Sequence, residues 1–310
     1  MDNMIGNTPL IKIKYKYKGK EDYIYAKLEY YNLTGSIKDR VVYNILKVAK
    51  QENKLKKDMP LVEATSGNTG ISLSALGALL KHKVYIFMPD WVSLERIKLM
   101  ELYGAKVNLV SKSDGGFKKC IDLAYKFAKE NNGFLLDQFN NKYNIEAHYL
   151  TTGKEITDKI KVDAFVSGIG TGGTLMGVAK RLKEEYSSKI FALEPTNMSL
   201  IKKGVISSHK IEGIADEFIP SIVDLDIIED VILISDLVSL EMSQKLSKEL
   251  GIVVGISSGA NMMAAIKIKN MGYKNVVTIF PDDSKKYLST DLTKQSNSLT
   301  DIELISYSIV

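Results

Sequence analysis

Three short polar segments carry residue types whose spacing suits chemistry on an anionic ligand. The first is Gly168-Ile169-Gly170-Thr171-Gly172-Gly173-Thr174, which follows an apolar run, Ala164–Ser167, and precedes a helical pattern from Leu175 to Lys183. Glycines let backbone amides approach a phosphate, a helix start leaves N–H groups unpaired, and threonine hydroxyls add donors. The segment reads as a phosphate site, with a tight strand-to-helix turn as the purely structural alternative. Taken alone, such a loop also suits a dinucleotide, because Glu194 ends the next strand, where a ribose-binding acid would sit.

The second segment is Asn32-Leu33-Thr34-Gly35-Ser36-Ile37-Lys38-Asp39-Arg40, where polar turn residues end at a lysine that opens a helix with apolar Val41, Val42, Ile45 and Leu46. A helix start repels cations and so lowers a lysine's proton affinity, which suits an amine acting as nucleophile or base. By itself the segment reads rather as an exposed lysine in a lysine-rich chain. The third is Glu63-Ala64-Thr65-Ser66-Gly67-Asn68-Thr69-Gly70, ahead of the apolar stretch Ile71–Leu80. Its four neutral side-chain donors around two glycines suit a carboxylate, whereas a helix cap needs only one such residue.

These segments must be held by a frame. Short apolar runs at Val84–Met88, Val107–Val110, Ala164–Ser167, Ile190–Leu193, Val231–Ile234 and Val276–Phe280 read as buried strands. Helical spacing lies between them, at Leu94–Tyr103, Phe117–Glu130 and Leu237–Leu250. Such alternation predicts an α/β fold with a parallel sheet covered by helices on both faces, and ligands outside the carboxyl ends of the strands. The 310 residues suffice for two domains. Lys12, Lys14, Lys16 and Lys18 alternate with Ile13, Tyr15 and Tyr17, as on one face of a strand. The tail Gln295–Val310 fits either a last strand or a loosely attached end.

Composition removes several classes of chemistry. The single cysteine, Cys120, forbids an internal disulfide and any thiolate metal cluster, and suits the cytoplasm. His82, His148 and His209 are scattered, so no metal centre is expected. The net charge of +5 is carried by lysine, the only arginines being Arg40, Arg96 and Arg181, which argues against nucleic-acid binding. Neither a signal peptide nor a membrane-spanning run of about 20 apolar residues is visible.

Taken together, the three segments resemble the cysteine synthase (O-acetylserine sulfhydrylase) and cystathionine β-synthase family, pyridoxal-phosphate enzymes of fold type II. The resemblance continues through Ile5-Gly6-Asn7-Thr8-Pro9-Leu10, Met88-Pro89-Asp90, Ser93-Leu94-Glu95-Arg96, Tyr103-Gly104-Ala105, Gln138-Phe139, Thr151–Ile156, Gly255–Gly259 and Tyr287–Thr290. It implies a tryptophan synthase β-like arrangement of two domains, each with a central, mostly parallel sheet flanked by helices. Residues 35–143 would form the smaller domain, with a mobile part at about 84–130 that closes over substrate. Residues 1–34 with 144–310 would form the larger, carrying the phosphate loop. It further implies pyridoxal 5'-phosphate on Lys38, which also moves protons, and a phosphate cradle at Gly170, Thr171, Gly172, Gly173 and Thr174. Asn68 would bond the cofactor's phenolic oxygen. Thr65, Ser66, Thr69 and Gln138 would hold the substrate carboxylate, and Gly213 and Ile214 would face the bound amino acid. A homodimer is implied as well.

Two departures from the family pattern bear on the reaction. Where the family has a serine facing the pyridine nitrogen, two places after a proline, this chain has Asp283, with Ser284 as the alternative under a local shift. A carboxylate there would keep the nitrogen protonated and keep a dehydratase or racemase in view. Asp216 and Glu217 stand where cysteine synthases carry small residues; either one of them acts on the second substrate, or the pair forms a solvated acidic turn. The reaction expected is β-replacement through an α-aminoacrylate intermediate, first as cysteine synthase acting on O-acetyl-L-serine and sulfide. The alternative releases hydrogen sulfide from L-cysteine and forms serine, lanthionine or cystathionine.

Overall fold

Alternation of Ile11, Ile13 and Tyr15 with Lys12, Lys14 and Lys16 makes a strand with one face wholly buried, β1 (Leu10–Tyr17). Lys18 lies beyond it, in a turn at φ +49°, so the lysine face is shorter than expected. The computed structural model describes residues 3–294 and 299–310. The further strands are β2 (Lys20–Leu28), β3 (Leu61–Ala64), β4 (Val84–Pro89), β5 (Lys106–Val110), β6 (Phe134–Leu135), β7 (Ala164–Gly168), β8 (Lys189–Pro195), β9 (Asp230–Ile234), β10 (Val276–Phe280) and β11 (Ile302–Ile309). The helices are α1 (Lys38–Gln51), α2 (Asn68–Leu80), α3 (Leu94–Leu102), α4 (Gly116–Glu130), α5 (Lys142–Ala147), α6 (Lys154–Thr157), α7 (Gly173–Glu185), α8 (Leu200–Lys203), α9 (Asp236–Leu250) and α10 (Ile256–Asn270).

The strands form two sheets. One, in the order β5-β4-β3-β6, is parallel throughout. The other runs β11-β1-β2-β10-β7-β8-β9, parallel from β2 to β9, with β1 and β11 antiparallel at one edge. The tail thus supplies a strand on β1; Gln295–Ser298 lie outside the described residues. β3, β6 and the hairpin partner β2 lie outside the runs read from the sequence: β3 and β6, with four residues and two, carry too little periodicity, and β2 passes from an exposed start to a wholly buried end without alternating.

Both faces of each sheet are covered. In the larger sheet Ala164 and Val166 point toward Leu240, Met242, Ala260 and Met263 of α9 and α10, while Phe165 points toward Leu175, Val178 and Leu182 of α7. In the smaller sheet Leu61 and Ile86 meet α1 and α2, while Val62 and Phe87 meet Cys120, Ala124 and Ala128 of α4. This is the two-sided burial that makes parallel strands read as unbroken apolar runs.

The motif residues at the N-terminus and around Glu155 build one buried charge network beneath α1. Arg40 pairs with Glu29 at 2.7 Å and Glu155 at 2.5 Å, and Lys27 pairs with Glu155 at 2.6 Å. Thr8 Oγ1 donates to Glu29 at 2.7 Å, and Asn7 N–H donates to Glu155 at 2.9 Å. Burial opposes ionisation of Glu29, but Arg40 outweighs it and holds the carboxyl at about 2. The first turn of α1 is thereby fixed to β2, α6 and the chain's start.

Candidate active site

The carboxyl ends of β3, β7 and β10 open into a cavity of about 820 Å³, and the first residues of α1, α2, α7 and α10 line it. None of these four helices has a side-chain hydrogen bond at its N-cap. Their dipoles place partial positive charge around one space, which favours anions.

Lys38, the first residue of α1, lines this cavity. Its helix start is strapped down by Ile37 N–H, which donates to Pro281 O at 2.9 Å. Asp39 is buried and turns inward, accepting from Thr34 N–H at 2.7 Å and from Ser72 Oγ at 2.6 Å. Burial lowers the Lys38 amine to about 8, partly opposed by Asp216 and Asp282. Burial likewise raises Asp216 to about 6, with Lys38 pulling it down and Glu217 pushing it up. Glu217 itself is exposed and does not line the cavity. The acidic pair singled out in the sequence is therefore split, one member to the cavity and one to solvent.

Thr65, Ser66, Asn68, Thr69 and Gln138 line one side of the cavity. Thr69 Oγ1 donates to Gln138 Oε1 at 2.6 Å, and Gln138 Nε2 donates to Ala64 O at 3.1 Å, so the two are locked to each other and to β3. Gly170, Thr171, Gly172, Thr174, Gly213 and Ile214 line the other side. Gly173 does not line it; it opens α7 with its Cα pressed against Asn144, which a Cβ would overlap. A Cβ on Gly170 would come within 2.4 Å of Gly213 O. These glycines are thus required by protein packing that draws the loop inward, not by ligand approach alone.

Asp283 differs from expectation. It does not line the cavity: its carboxylate caps a short helical turn, accepting from Lys285 N–H at 3.0 Å, beside Gly35. Asp282 does not line the cavity either; fully buried, its carboxylate accepts from Asn68 Nδ2, whose residue does line it, and from Tyr287 OH, at 2.7 Å each. Ser284 is buried but also outside the cavity. Equal spacing from Pro281 points to Asp283, but the capping turn draws that side chain away. Glu194, the acid that kept a dinucleotide in view, is consumed at α8, accepting from Ser199 Oγ at 2.9 Å and Ile201 N–H at 2.7 Å.

Other contributors escaped the sequence reading. Asn144 donates to Thr171 Oγ1 and Gln138 O at 2.9 Å each, joining both sides of the cavity. Buried His148 sits between Thr152 at 2.9 Å and Thr174 at 3.2 Å, and burial lowers its pKa well below the usual value. Glu63 is buried beside Gln138, and burial with the Asp137 charge pushes it up to about 8. No motif marked Asn144 or His148, and Glu63 was quoted only as the start of the third segment, since each acts through a partner distant in sequence. The lone Cys120 is buried, which pushes its thiol up to about 12. Among the described residues, no cluster of three potential metal ligands occurs, and no helix is long and apolar enough to cross a membrane.

A lysine with weakened proton affinity, uncapped helix starts and a buried, unpartnered Asn68 Oδ1 fit a phosphate-bearing carbonyl compound held on the amine. Fold and site together define an α/β enzyme of fold type II that works with pyridoxal phosphate. The chain belongs to the family described as pyridoxal-phosphate dependent enzyme, whose model matches residues 1–282. A cysteine synthase of Staphylococcus aureus is 40% identical over 295 residues, covering 93% of this chain and 95% of its own length. A hydrogen sulfide-producing enzyme from Fusobacterium nucleatum is 47% identical in structural alignment, with a TM-score of 0.95 over 100% of this chain and 98% of that one. An aspartate-to-asparagine variant of that enzyme has been solved with an α-aminoacrylate intermediate. A cysteine synthase from Entamoeba histolytica superimposes with a TM-score of 0.86 at 37% identity, over 96% and 91% of the two chains.

Proposed function

We propose that this chain is a β-replacing enzyme that makes L-cysteine from O-acetyl-L-serine and sulfide, with Lys38 and Asp216 as its acid–base pair. The observation that carries the reading is the placement of both groups on one cavity beneath four uncapped helix starts. Lys38 would carry the cofactor, Gly170–Thr174 its phosphate, and Asn68 its phenolic oxygen. When bound, pyridoxal phosphate supplies the electron sink that makes the substrate's α-proton and β-substituent removable.

The chain's own residues do the rest. Thr65, Ser66, Thr69 and Gln138 receive the substrate carboxylate with neutral donors at the start of α2. The Lys38 amine, lowered to about 8, takes the α-proton and later returns it. Gly213 and Ile214 border the amino acid, and closure of the part at about 84–130 keeps water out. Residues 35–143 and the remainder are proposed as the two domains that move against each other. A homodimer and a cytoplasmic setting are part of the same proposal, supported by the family resemblance and by the single buried thiol.

Asp216 supports a second reading. Release of sulfide from L-cysteine is the sulfide-addition step run backwards, so both readings share half of the reaction. They differ in the group that then attacks the β-carbon. A buried carboxylate at about 6 is suited to take the proton from water or a thiol at neutral pH. The structural relative that releases hydrogen sulfide favours this reading too. A product assay separates them. O-acetyl-L-serine with sulfide yields cysteine in the first, and L-cysteine alone yields sulfide with serine or lanthionine in the second. A colourless protein that turns over neither, and that borohydride does not label at Lys38, refutes both.

A further inference from the structure

We propose that Arg96 and Glu212 are positioning residues that tie the Gly213–Asp216 loop to α3, so that Asp216 faces Lys38. The proposal rests on reading this cavity as the site of amino-acid chemistry. Arg96 lies on α3, inside the part expected to close over substrate, while Glu212 begins the loop that carries Asp216. Both side chains line the cavity, and Arg96 Nη1 pairs with Glu212 Oε2.

Arg96 is built in on every side. It is only 2% exposed, its guanidinium lies 4.5 Å from the centre of the Tyr287 ring, and Gly67 leaves the passage that a Cβ would close. The Tyr287 hydroxyl in turn donates to Asp282, which holds Asn68. The start of α3 is pinned to the same segment. Ser93 Oγ donates to Lys286 O at 2.6 Å, and Glu95 accepts from the Ser289 amide and hydroxyl at 2.8 and 2.7 Å. A cation held this firmly, facing a partly exposed carboxylate across the cavity, fixes the carboxylate rather than the reverse.

The loop needs such a hold. Ala215 has φ +56°, a left-handed conformation that strains a residue with a Cβ, and Gly213 has φ +90°. Ala215 N–H donates to Ile169 O at 2.6 Å, and Ile214 packs where a Gly168 Cβ would sit, 2.7 Å from its Cγ2. These contacts fasten the loop to the phosphate side. On the other side, the Arg96–Glu212 pair joins it to α3. Movement of α3 would therefore move Asp216 relative to Lys38.

The test uses the holoenzyme. Amide hydrogen–deuterium exchange is followed at residues 213–216 in Arg96→Gln, Glu212→Gln and the double variant, beside KM and kcat for the amino-acid substrate. Each single variant is expected to speed exchange there about tenfold and to raise KM about tenfold, with the cofactor absorbance unchanged. The double variant is expected to match the worse single, because both remove one contact. Glu212 is 27% exposed in its side chain, so Glu212→Gln carries the test if Arg96→Gln does not fold. Native-like exchange at 213–216 in Glu212→Gln, or additive effects in the double variant, overturns the proposal. If no amino acid of this class turns over, the functional reading falls, and the exchange data still decide the positioning role.

Discussion

Replacing Asp216 by asparagine should make the protein more stable and less active, and both effects should depend on pH. Burial moves the carboxyl from 3.8 to about 6, so the folded protein prefers the protonated form. The unfolded chain binds fewer protons than the fold between those two values, and stability falls as pH rises through that window. The ionised carboxylate therefore costs nothing below about pH 4 and its full amount above about pH 6. At 1.36 kcal/mol per pH unit, that amount is about 3 kcal/mol at pH 8, and about half as much at pH 5. An asparagine fills the same space without the charge. Thermal melts of the cofactor-free protein should place the variant above the native chain at pH 8, with the gap roughly halved at pH 5. Turnover should move the other way, down by about a hundredfold or more if Asp216 is the base for the second substrate. The acid limb of the native pH–rate profile, centred near 6, should disappear with it. A variant no more stable at pH 8, or one that keeps both its rate and its acid limb, refutes the assignment.

Arg40→Met should cost about 3–5 kcal/mol in urea unfolding, because Glu29 stays buried with only Lys27 nearby to balance it. Gly173→Ala should weaken cofactor affinity at least tenfold in absorbance titrations, since the new Cβ would overlap Asn144 and push Thr171 out of place. Asp282→Asn should shift the absorbance maximum of the bound cofactor, while Asp283→Asn should leave it unchanged, because only Asp282 bonds Asn68.

Lys38, the two glycine-bearing loops and the strand runs beside them were legible because each works locally. A loop that offers amides at a helix start needs its glycines and hydroxyls within a few residues, and β7 and β10 are buried on both faces and so are apolar throughout. The charge network under α1 was not legible as such. Its members Thr8, Lys27, Glu29, Arg40 and Glu155 are spread over most of the first half of the chain, and only folding brings their opposite charges into contact.

The acids show the same divide. Spacing alone favoured Asp283 over its neighbours, yet Asp282 is the one that bonds the cavity-lining Asn68, while Asp283 turns to its own helical cap. Glu194 had the right place in sequence for a ribose, but α8 folds back to occupy it. Of Asp216 and Glu217, the first lines the cavity, where burial moves it to about 6, and the second is exposed to solvent. Residue type and local spacing marked three segments suited to a phosphate, a carboxylate and a reactive lysine. Which carboxylates face that lysine, and with what proton affinity, depends on burial and on partners far along the chain, and those exist only once the two sheets close on one cavity.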